Sequence, residues 1–214
     1  MKKIEEIISK MFKKTEEKAG PPPAYKSHHI LLTLFLLYKS DKPIGRYILM
    51  RKLGVGEASS RTLLKFLTKL GLIKSVNKKG HTLTSLGKMV VMKIMERIAD
   101  IKEVKNLRNI TIGPVNVACH LKNMSQFIKD GLKQRDAAVM AGAKGATTLI
   151  VHSGKITFPK EDIKISEENE KILSNLFDLK DGDVIVIGTG SNLREAENGA
   201  AAAALTILSF SNSK

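Results

Sequence analysis

The chain has 214 residues, of which 43% are hydrophobic and one is a cysteine, and its formal net charge at pH 7 is +15. The hydrophobic content excludes a mostly disordered chain, and the single cysteine, Cys119, excludes an intramolecular disulfide and a cysteine-rich metal site. No apolar run approaches the ~18–20 residues that a membrane span needs. The amino end mixes acidic with basic residues and lacks a small-residue cleavage site, so we expect a cytoplasmic protein without a secretory signal.

The excess positive charge lies entirely in the first half of the chain. Residues 1–108 carry 24 Lys and Arg against 9 Asp and Glu, whereas residues 109–214 carry 12 of each. Within residues 26–88 the two counts are 13 and 2. This distribution favours a polyanionic partner, because neutralisation of phosphates drives nucleic-acid binding. A lysine-rich surface kept for solubility is the alternative, although solubility does not require the two halves to differ.

The first half predicts a helical domain with one hairpin. Residues 1–19 form an amphipathic pattern that ends at the prolines 21–23, and its apolar stripe must be buried on its own domain or on a second subunit. Periodicity and turn residues then predict three core helices, a hairpin with a basic tip and a further helix. The three core helices are predicted over His28–Lys39, Ile44–Leu53 and Glu57–Leu70. Ser27 is expected to cap the first of them, and Ile44, Ile48, Leu49 and Leu53 are expected to point inward from the second. The hairpin strands are predicted over Leu72–Val76 and His81–Leu83, and the further helix over Gly87–Leu107.

The second half alternates strands and helices. The predicted elements are a strand over Ile110–His120, a helix over Ser125–Ala141, a hairpin of Ala146–His152 and Lys155–Phe158, a helix over Ser166–Asp178, a strand over Asp183–Gly188 and a helix over Asn192–Phe210. Only one strand–helix–strand passage is clear, which favours a two-layer α+β domain. The whole chain is therefore predicted as α+β, with a helix and proline-rich linker over 1–24, a helical domain with a trailing helix over 25–108, and the α+β domain over 109–214.

The order of elements from Ile44 to Gly87 is that of a helix-turn-helix followed by a hairpin. The sequence LGVG (Leu53–Gly56) supplies the turn. On the next helix, the residues that fall on the inward side are Ser60, Leu63 or Leu64, Leu67 and Leu70. Arg61 has the reach for a guanine edge or a phosphate. The residues predicted to contact DNA from this helix and the hairpin tip are Ser59, Arg61, Thr62, Lys65, Lys69, Lys78, Lys79 and His81. The pattern over residues 26–88 is similar to the winged helix-turn-helix domain of many prokaryotic transcription regulators, and Phe66 is expected to be partly exposed beside it.

Three features of the second half are candidates for a ligand site. Arg135 and Asp136 lie inside a helix of small residues, where neighbours in sequence do not face each other, so each is expected to find another partner. A loop with two glycines joins that helix to a strand, and a Gly-Thr-Gly turn opens the last helix, where an anion is favoured. The tentative ligand-binding residues are Arg135, Asp136, Lys144, Thr147, Thr148, Thr189, Ser191 and Asn192.

The sequence does not support a metal site, a cofactor site or a catalytic site. The five histidines have no metal-ligand spacing, and neither a complete phosphate-binding loop nor a dinucleotide fingerprint is present, so no metal or cofactor is expected. Cys119 and His120 are adjacent on a predicted strand and point to opposite faces, so they cannot pair as nucleophile and base. No catalytic residue set emerges, and the chain is not expected to be an enzyme.

Taken whole, the chain resembles an archaeal family that joins an amino-terminal winged helix to an uncharacterised carboxy-terminal domain. The resemblance rests on GHTLTSLG (80–87), IGPVNVAC (112–119), QRDAAVMAGAKGATTLI (134–150) and Phe158-Pro159. It implies a carboxy-terminal fold similar to the GAD domain, which occurs as an insert in some aspartyl-tRNA synthetases and in a tRNA-dependent amidotransferase.

The favoured function is a transcription regulator whose winged helix binds double-stranded DNA. Its second domain would then sense a small-molecule effector or form a homodimer that reads two half-sites. An RNA- or tRNA-associated protein is the alternative, and an enzyme with a pocket in the second domain is a third hypothesis. No membrane partner is expected.

Overall fold

The computed structural model describes residues 2–13, 24–77, 79–160 and 163–210. The chain divides into two compact units, residues 1–94 and 95–214. Residues 95–108, predicted as the end of the first domain, thus belong to the second unit. Of the helices in the described ranges, none has both the length and the apolar character needed to cross a bilayer.

The first unit consists of helices and one β-hairpin, as the sequence predicts. Its elements are α1 (Lys2–Lys13), α2 (Ser27–Tyr38), α3 (Arg46–Leu53), α4 (Glu57–Lys69), β1 (Ile73–Val76), β2 (Gly80–Leu83) and α5 (Ser85–Met95). Met11 of α1 is fully buried, and the α1 and α2 helices are in contact, so α1 packs on its own domain. Phe66 of α4 is half-buried and stacks on Tyr25, with ring centroids 6.4 Å apart.

The start of α2 differs from the prediction. Ser27 is the first helical residue, not the residue that caps it, and its hydroxyl donates to the Phe12 carbonyl at 3.4 Å. The backbone N–H of Lys26 instead donates to Nδ1 of His29 at 2.9 Å. The His29 ring, three residues after the cap, thus accepts the amide of the cap residue itself, whereas a capping serine oxygen would accept an amide of the first helical turn.

Helices α3 and α4 are joined by a tight turn. Gly54 ends α3 in the left-handed conformation at φ 72°, which glycine adopts without strain. Leu53 and Val55 on either side of it are buried. The prediction that Ile48 points inward is wrong, because 47% of its surface is exposed.

The hairpin is attached to the segment that precedes α3. Strands β1 and β2 pair antiparallel from Ile73 opposite Leu83 to Val76 opposite Gly80. In addition, the backbone groups of Ile44 and His81 exchange two hydrogen bonds of 2.9 Å. Gly80 is required at this crossing, since its φ is 129° and a Cβ would lie 2.4 Å from the Ile44 carbonyl. This link holds the hairpin beside the start of α3.

The second unit is built on a five-stranded sheet. Its elements are β3 (Ile98–Val104), β4 (Val115–Leu121), a 3₁₀ turn (Ser125–Phe127), α6 (Leu132–Met140), β5 (Gly145–His152), β6 (Lys155–Thr157), α7 (Glu167–Leu176), β7 (Val184–Gly190) and α8 (Leu193–Phe210). The strand order is β3-β4-β7-β5-β6, and every neighbouring pair is antiparallel. The α+β class is confirmed.

Two predicted helices are wrong in part. The helix predicted over Gly87–Leu107 ends at Met95, and the chain continues as the edge strand β3, paired with β4. The helix predicted over Ser125–Ala141 is interrupted, because Gly131 at φ 79° separates the 3₁₀ turn from α6. The predicted strand over Ile110–His120 begins only at Val115.

The helices of the second unit cover both faces of its sheet. Helix α8 packs against β7 and β4 so closely that a Cβ on Gly188 would lie 2.3 Å from backbone atoms of Ala196 and Ala200. Helix α6 packs on α8 and β5. On the other face, Leu173 and Phe177 at the α7 end join a core with Ile185 and Ile187 of β7.

Candidate nucleic-acid interface

Helix α4 presents a stripe of cations on its outer side. Arg61, Lys65 and Lys69 are exposed and four residues apart, a spacing that places them on one helical face. Leu63 and Leu67 on the opposite side are buried in the core of the unit. The buried leucines thus fix the rotation of the helix, and the cations must point outward.

This stripe forms one wall of a groove of about 540 Å³. The groove is lined by Arg46, Arg61, Leu64, Lys65, Thr68, Lys69 and His81. Arg46 begins α3 and His81 lies in β2, so three elements of the first unit meet there. Four of these seven lining residues carry a permanent positive charge at neutral pH.

One carboxylate organises the two arginines of the groove. Oε1 of Glu57 lies 3.0 Å from Nη2 of Arg46 and 3.1 Å from Nη2 of Arg61. The Arg46 guanidinium also lies over the ring of Tyr47, 5.1 Å from its centroid. The side chain of Arg61 is 67% exposed and that of Arg46 only 30%, so Arg46 is the more fixed of the two.

Two polar atoms at the groove are buried without a hydrogen-bond partner among the described residues. They are Nε of Arg46 and Nδ1 of His81. Burial lowers the pKa of His81 below its usual value, so its ring is neutral at pH 7. The positive charge of the groove therefore comes from the arginines and lysines, and His81 contributes a neutral ring.

The structure brings together four of the eight residues predicted to contact DNA. Arg61, Lys65, Lys69 and His81 line the groove. Ser59 is half-buried, and the exposed Thr62 donates its hydroxyl to the Ala58 carbonyl at 2.9 Å.

The described residues include only one of the two lysines predicted at the hairpin tip. Lys79 is exposed beside β2, and Lys78 lies outside the described residues. Sequence reasoning missed Arg46, Thr68 and Glu57. Arg46 was missed because the bridge between Ile44 and His81, which places the hairpin beside the start of α3, was not anticipated. Thr68 and Glu57 lie on α4 itself, where the helical spacing could have indicated them.

The two units differ in charge almost as strongly as the two halves of the sequence do. Residues 1–94 carry 20 Lys and Arg against 6 Asp and Glu, a balance of +14. Residues 95–214 carry 16 against 15, a balance of +1. The groove thus belongs to the unit that holds nearly all the excess positive charge.

Several tentative ligand residues of the second unit do meet, at the end of strand β7. The backbone N–H of Lys144 donates to the Thr189 carbonyl at 2.8 Å, and Ser191 and Asn192 follow directly. The Glu195 carboxylate accepts from the Ser191 amide at 2.8 Å and from the Asn192 side chain at 2.7 Å. The Ser191 amide is the main reason that the pKa of Glu195 is lowered. The start of α8 is therefore occupied by a carboxylate of the chain itself.

The remaining tentative ligand residues lie apart from that cluster. The expectation that Arg135 and Asp136 have separate partners is wrong, because Nη2 of Arg135 donates to Oδ1 of Asp136 at 2.9 Å on the exposed side of α6. The Thr147 hydroxyl donates to the Ile110 carbonyl. Thr148 is buried beneath α6.

The comparisons with known proteins divide the chain in the same way. Residues 28–89 match the family described as PH0730-like, N-terminal domain, and residues 112–207 match DUF4443, a domain of unknown function. The structure is similar to that of hypothetical protein PH0730 from Pyrococcus horikoshii OT3, with 28% sequence identity and a TM-score of 0.72 over 87% of this chain and 94% of that one. No curated protein matches the chain. The two matches follow each other along the chain, the PH0730-like match within the first unit and the DUF4443 match within the second.

Proposed function

We propose that the chain is a transcription regulator whose first unit is a winged helix-turn-helix that binds double-stranded DNA. The observation that carries this proposal is the cationic groove formed by α4, β2 and the start of α3. Duplex DNA is a dense polyanion, and a surface with several adjacent cations gains affinity by releasing its counterions. The near-neutral second unit offers no comparable attraction.

The arrangement of α3, α4 and the hairpin suits the dimensions of a duplex. Helix α4 is exposed along its Arg61–Lys69 stripe, and a major groove about 12 Å wide admits one helix. When α4 lies in the major groove, it is the recognition helix and the hairpin is the wing. Lys65, Lys69 and Lys79 contact phosphates, and Arg61 contacts a phosphate or a guanine edge.

Glu57 makes the proposed surface selective, in addition to the attraction that its arginines and lysines provide. It pairs with both arginines in the free protein, so Arg61 must exchange a carboxylate for a DNA group on binding. The carboxylate also repels a phosphate that approaches without the correct alignment. Arg46, held by Glu57 and Tyr47, then stays at the edge of the groove as a fixed phosphate contact.

The second unit is proposed to regulate this binding. The sequence favours effector sensing or dimerisation for it, and a dimer would place two recognition helices about one helical turn of DNA apart. The cluster of Lys144, Thr189 and Ser191 is the proposed place for an effector, with Glu195 as the group that the effector would have to displace.

Lysine footprinting tests the proposed surface residue by residue. On addition of a short duplex to the full chain, we expect acetylation of Lys65, Lys69 and Lys79 to slow several-fold, because bound phosphates cover their amino groups. Mass spectrometry of the digested protein measures each lysine separately. Lys155 and Lys171 are exposed on the second unit and serve as internal controls that keep their rates.

The pattern of protection decides the outcome. Slowing that is equal at all lysines would indicate non-specific coating and would contradict the proposed groove. Protection confined to the second unit would place the nucleic-acid surface elsewhere and would also contradict it.

A further inference from the structure

Helix α6 exposes its large apolar residues, and its two buried residues are a glutamine and an alanine. Gln134 and Ala138 face the interior and are 4% and 0% exposed. Leu132 and Val139 are each 51% exposed, and Met140 is 89% exposed. A surface helix normally turns its apolar side chains toward the core, whereas α6 holds these three on its solvent side.

Four of the exposed residues of α6 form one stripe with charges at its centre. Leu132, Arg135, Asp136 and Val139 follow the spacing i, i+3, i+4 and i+7, which keeps them on one helical face. Arg135 and Asp136 pair with each other at 2.9 Å, yet their side chains are 55% and 61% exposed. The stripe thus carries one cation and one anion between two apolar residues.

The spacing of this stripe is self-complementary. If two copies of α6 pack antiparallel about a two-fold axis that passes between positions 135 and 136, residues equally distant from the axis face each other. Arg135 then lies opposite the partner's Asp136, and Leu132 lies opposite the partner's Val139. Both pairs are chemically matched, and the symmetry produces each of them twice.

We propose that a second copy of this chain docks on the Leu132–Val139 stripe, with α6 antiparallel to the α6 of its partner. Each Arg135 and Asp136 exchanges its contact within the chain for the equivalent contact across the two-fold axis. The apolar residues on either side lose water on association. With a rise of about 1.5 Å per residue, a nine-residue helix spans only about 13 Å, so we expect a weak dimer that dissociates on dilution.

Charge exchange at the two central positions tests both the surface and its register. Sedimentation equilibrium of the full chain is expected to show a mass that rises with concentration toward twice that of one chain. Arg135→Asp places Asp opposite Asp, and Asp136→Arg places Arg opposite Arg, so each single variant is expected to stay monomeric. The double variant, Arg135→Asp with Asp136→Arg, restores opposite charges across the axis and is expected to dimerise again.

A mixture of the two single variants supplies a further arm of the experiment. One chain then carries two acids and the other two arginines at the axis, so the mixture is expected to form a heterodimer although neither variant self-associates. Both positions are exposed, and circular dichroism of each variant checks that it is folded.

Each contrary result overturns the proposal in a definite way. A wild-type chain that stays monomeric at millimolar concentration removes the dimer. Single variants that still dimerise place the interface on another surface, and a double variant that stays monomeric contradicts the register. No arm uses nucleic acid, so failure here is distinguishable from failure of the proposed DNA binding.

Discussion

Replacing Arg61, Lys65 and Lys69 together by alanine is expected to lower the affinity for duplex DNA by roughly 100-fold near physiological salt. The three side chains form the outer stripe of α4, and each neutralised phosphate releases counterions. The slope of log affinity against log salt should therefore fall by about 3 units, at about 0.9 for each contact. Fluorescence anisotropy with a labelled duplex, repeated across a salt series, measures both quantities.

A matched control separates the groove from net charge. Replacing Lys129, Lys155 and Lys171 by alanine removes the same three charges from exposed positions of the second unit. This variant is expected to keep the wild-type salt slope. Equal losses in the two triple variants would show that overall charge, and not the α4 stripe, governs binding.

The first unit is expected to lose much of its stability between pH 7 and pH 5. His28 and His29 are each 7% exposed, with ring centroids 4.0 Å apart. Burial is the main cause that lowers the pKa of His28 to about 3 and that of His29 to about 4. For His28 the adjacent His29 and Lys26 add to the shift, whereas the Leu53 carbonyl opposes it for His29.

The direction of this change in stability with pH follows from proton binding. Below pH 6.5 the unfolded chain binds protons at both rings, whereas the folded chain stays neutral there until about pH 4. Stability is therefore unaffected above pH 7 and falls as the pH drops through 6.5 toward the folded values. The loss between pH 7 and pH 5 is about 2 kcal/mol for each ring.

Tyrosine fluorescence reports the unfolding of the first unit and therefore measures this loss of stability. The three tyrosines are Tyr25, Tyr38 and Tyr47, all in the first unit, and the chain has no tryptophan. Urea midpoints at pH 7 and pH 5 then give the change in the free energy of unfolding. The change is expected to persist in His152→Gln, which alters an exposed histidine of the second unit, and to shrink in the double variant His28→Gln, His29→Gln. If that double variant does not fold, nuclear magnetic resonance of the wild-type rings decides. Titration of either ring near pH 6.5 would contradict the prediction.

Periodicity predicted the elements of the first unit because its core leucines repeat at helical spacing. The helical spacing of the leucines puts Arg61, Lys65 and Lys69 on the outer side of α4, and the burial of Leu63 and Leu67 agrees with it. Arg46 was not found, because its position at the groove depends on the pairing of Ile44 with His81 across 37 positions of sequence. Local patterns carry no information on such a contact.

Tertiary pairing also explains the largest error in the predicted fold. The apolar residues after Gly87 fit a helix, yet residues 98–104 form strand β3 because β4 offers a free edge to pair with. The buried pair of His120 and Asp183, 2.7 Å apart, was likewise invisible, since its members lie on different strand ends. The ion pair of Arg135 and Asp136 escaped prediction because long side chains can meet where their Cβ atoms do not face each other.

Binding of the wild-type chain to duplex DNA in the presence of folded tRNA tests the proposed function most directly. A labelled duplex is titrated with protein across a salt series, and unlabelled tRNA is added as competitor. We expect salt-dependent duplex binding that equal amounts of tRNA do not displace, because the α4 stripe is proposed to enter a B-form major groove. Absence of duplex binding at low salt, or ready displacement by tRNA, would contradict the assignment of this groove to duplex DNA.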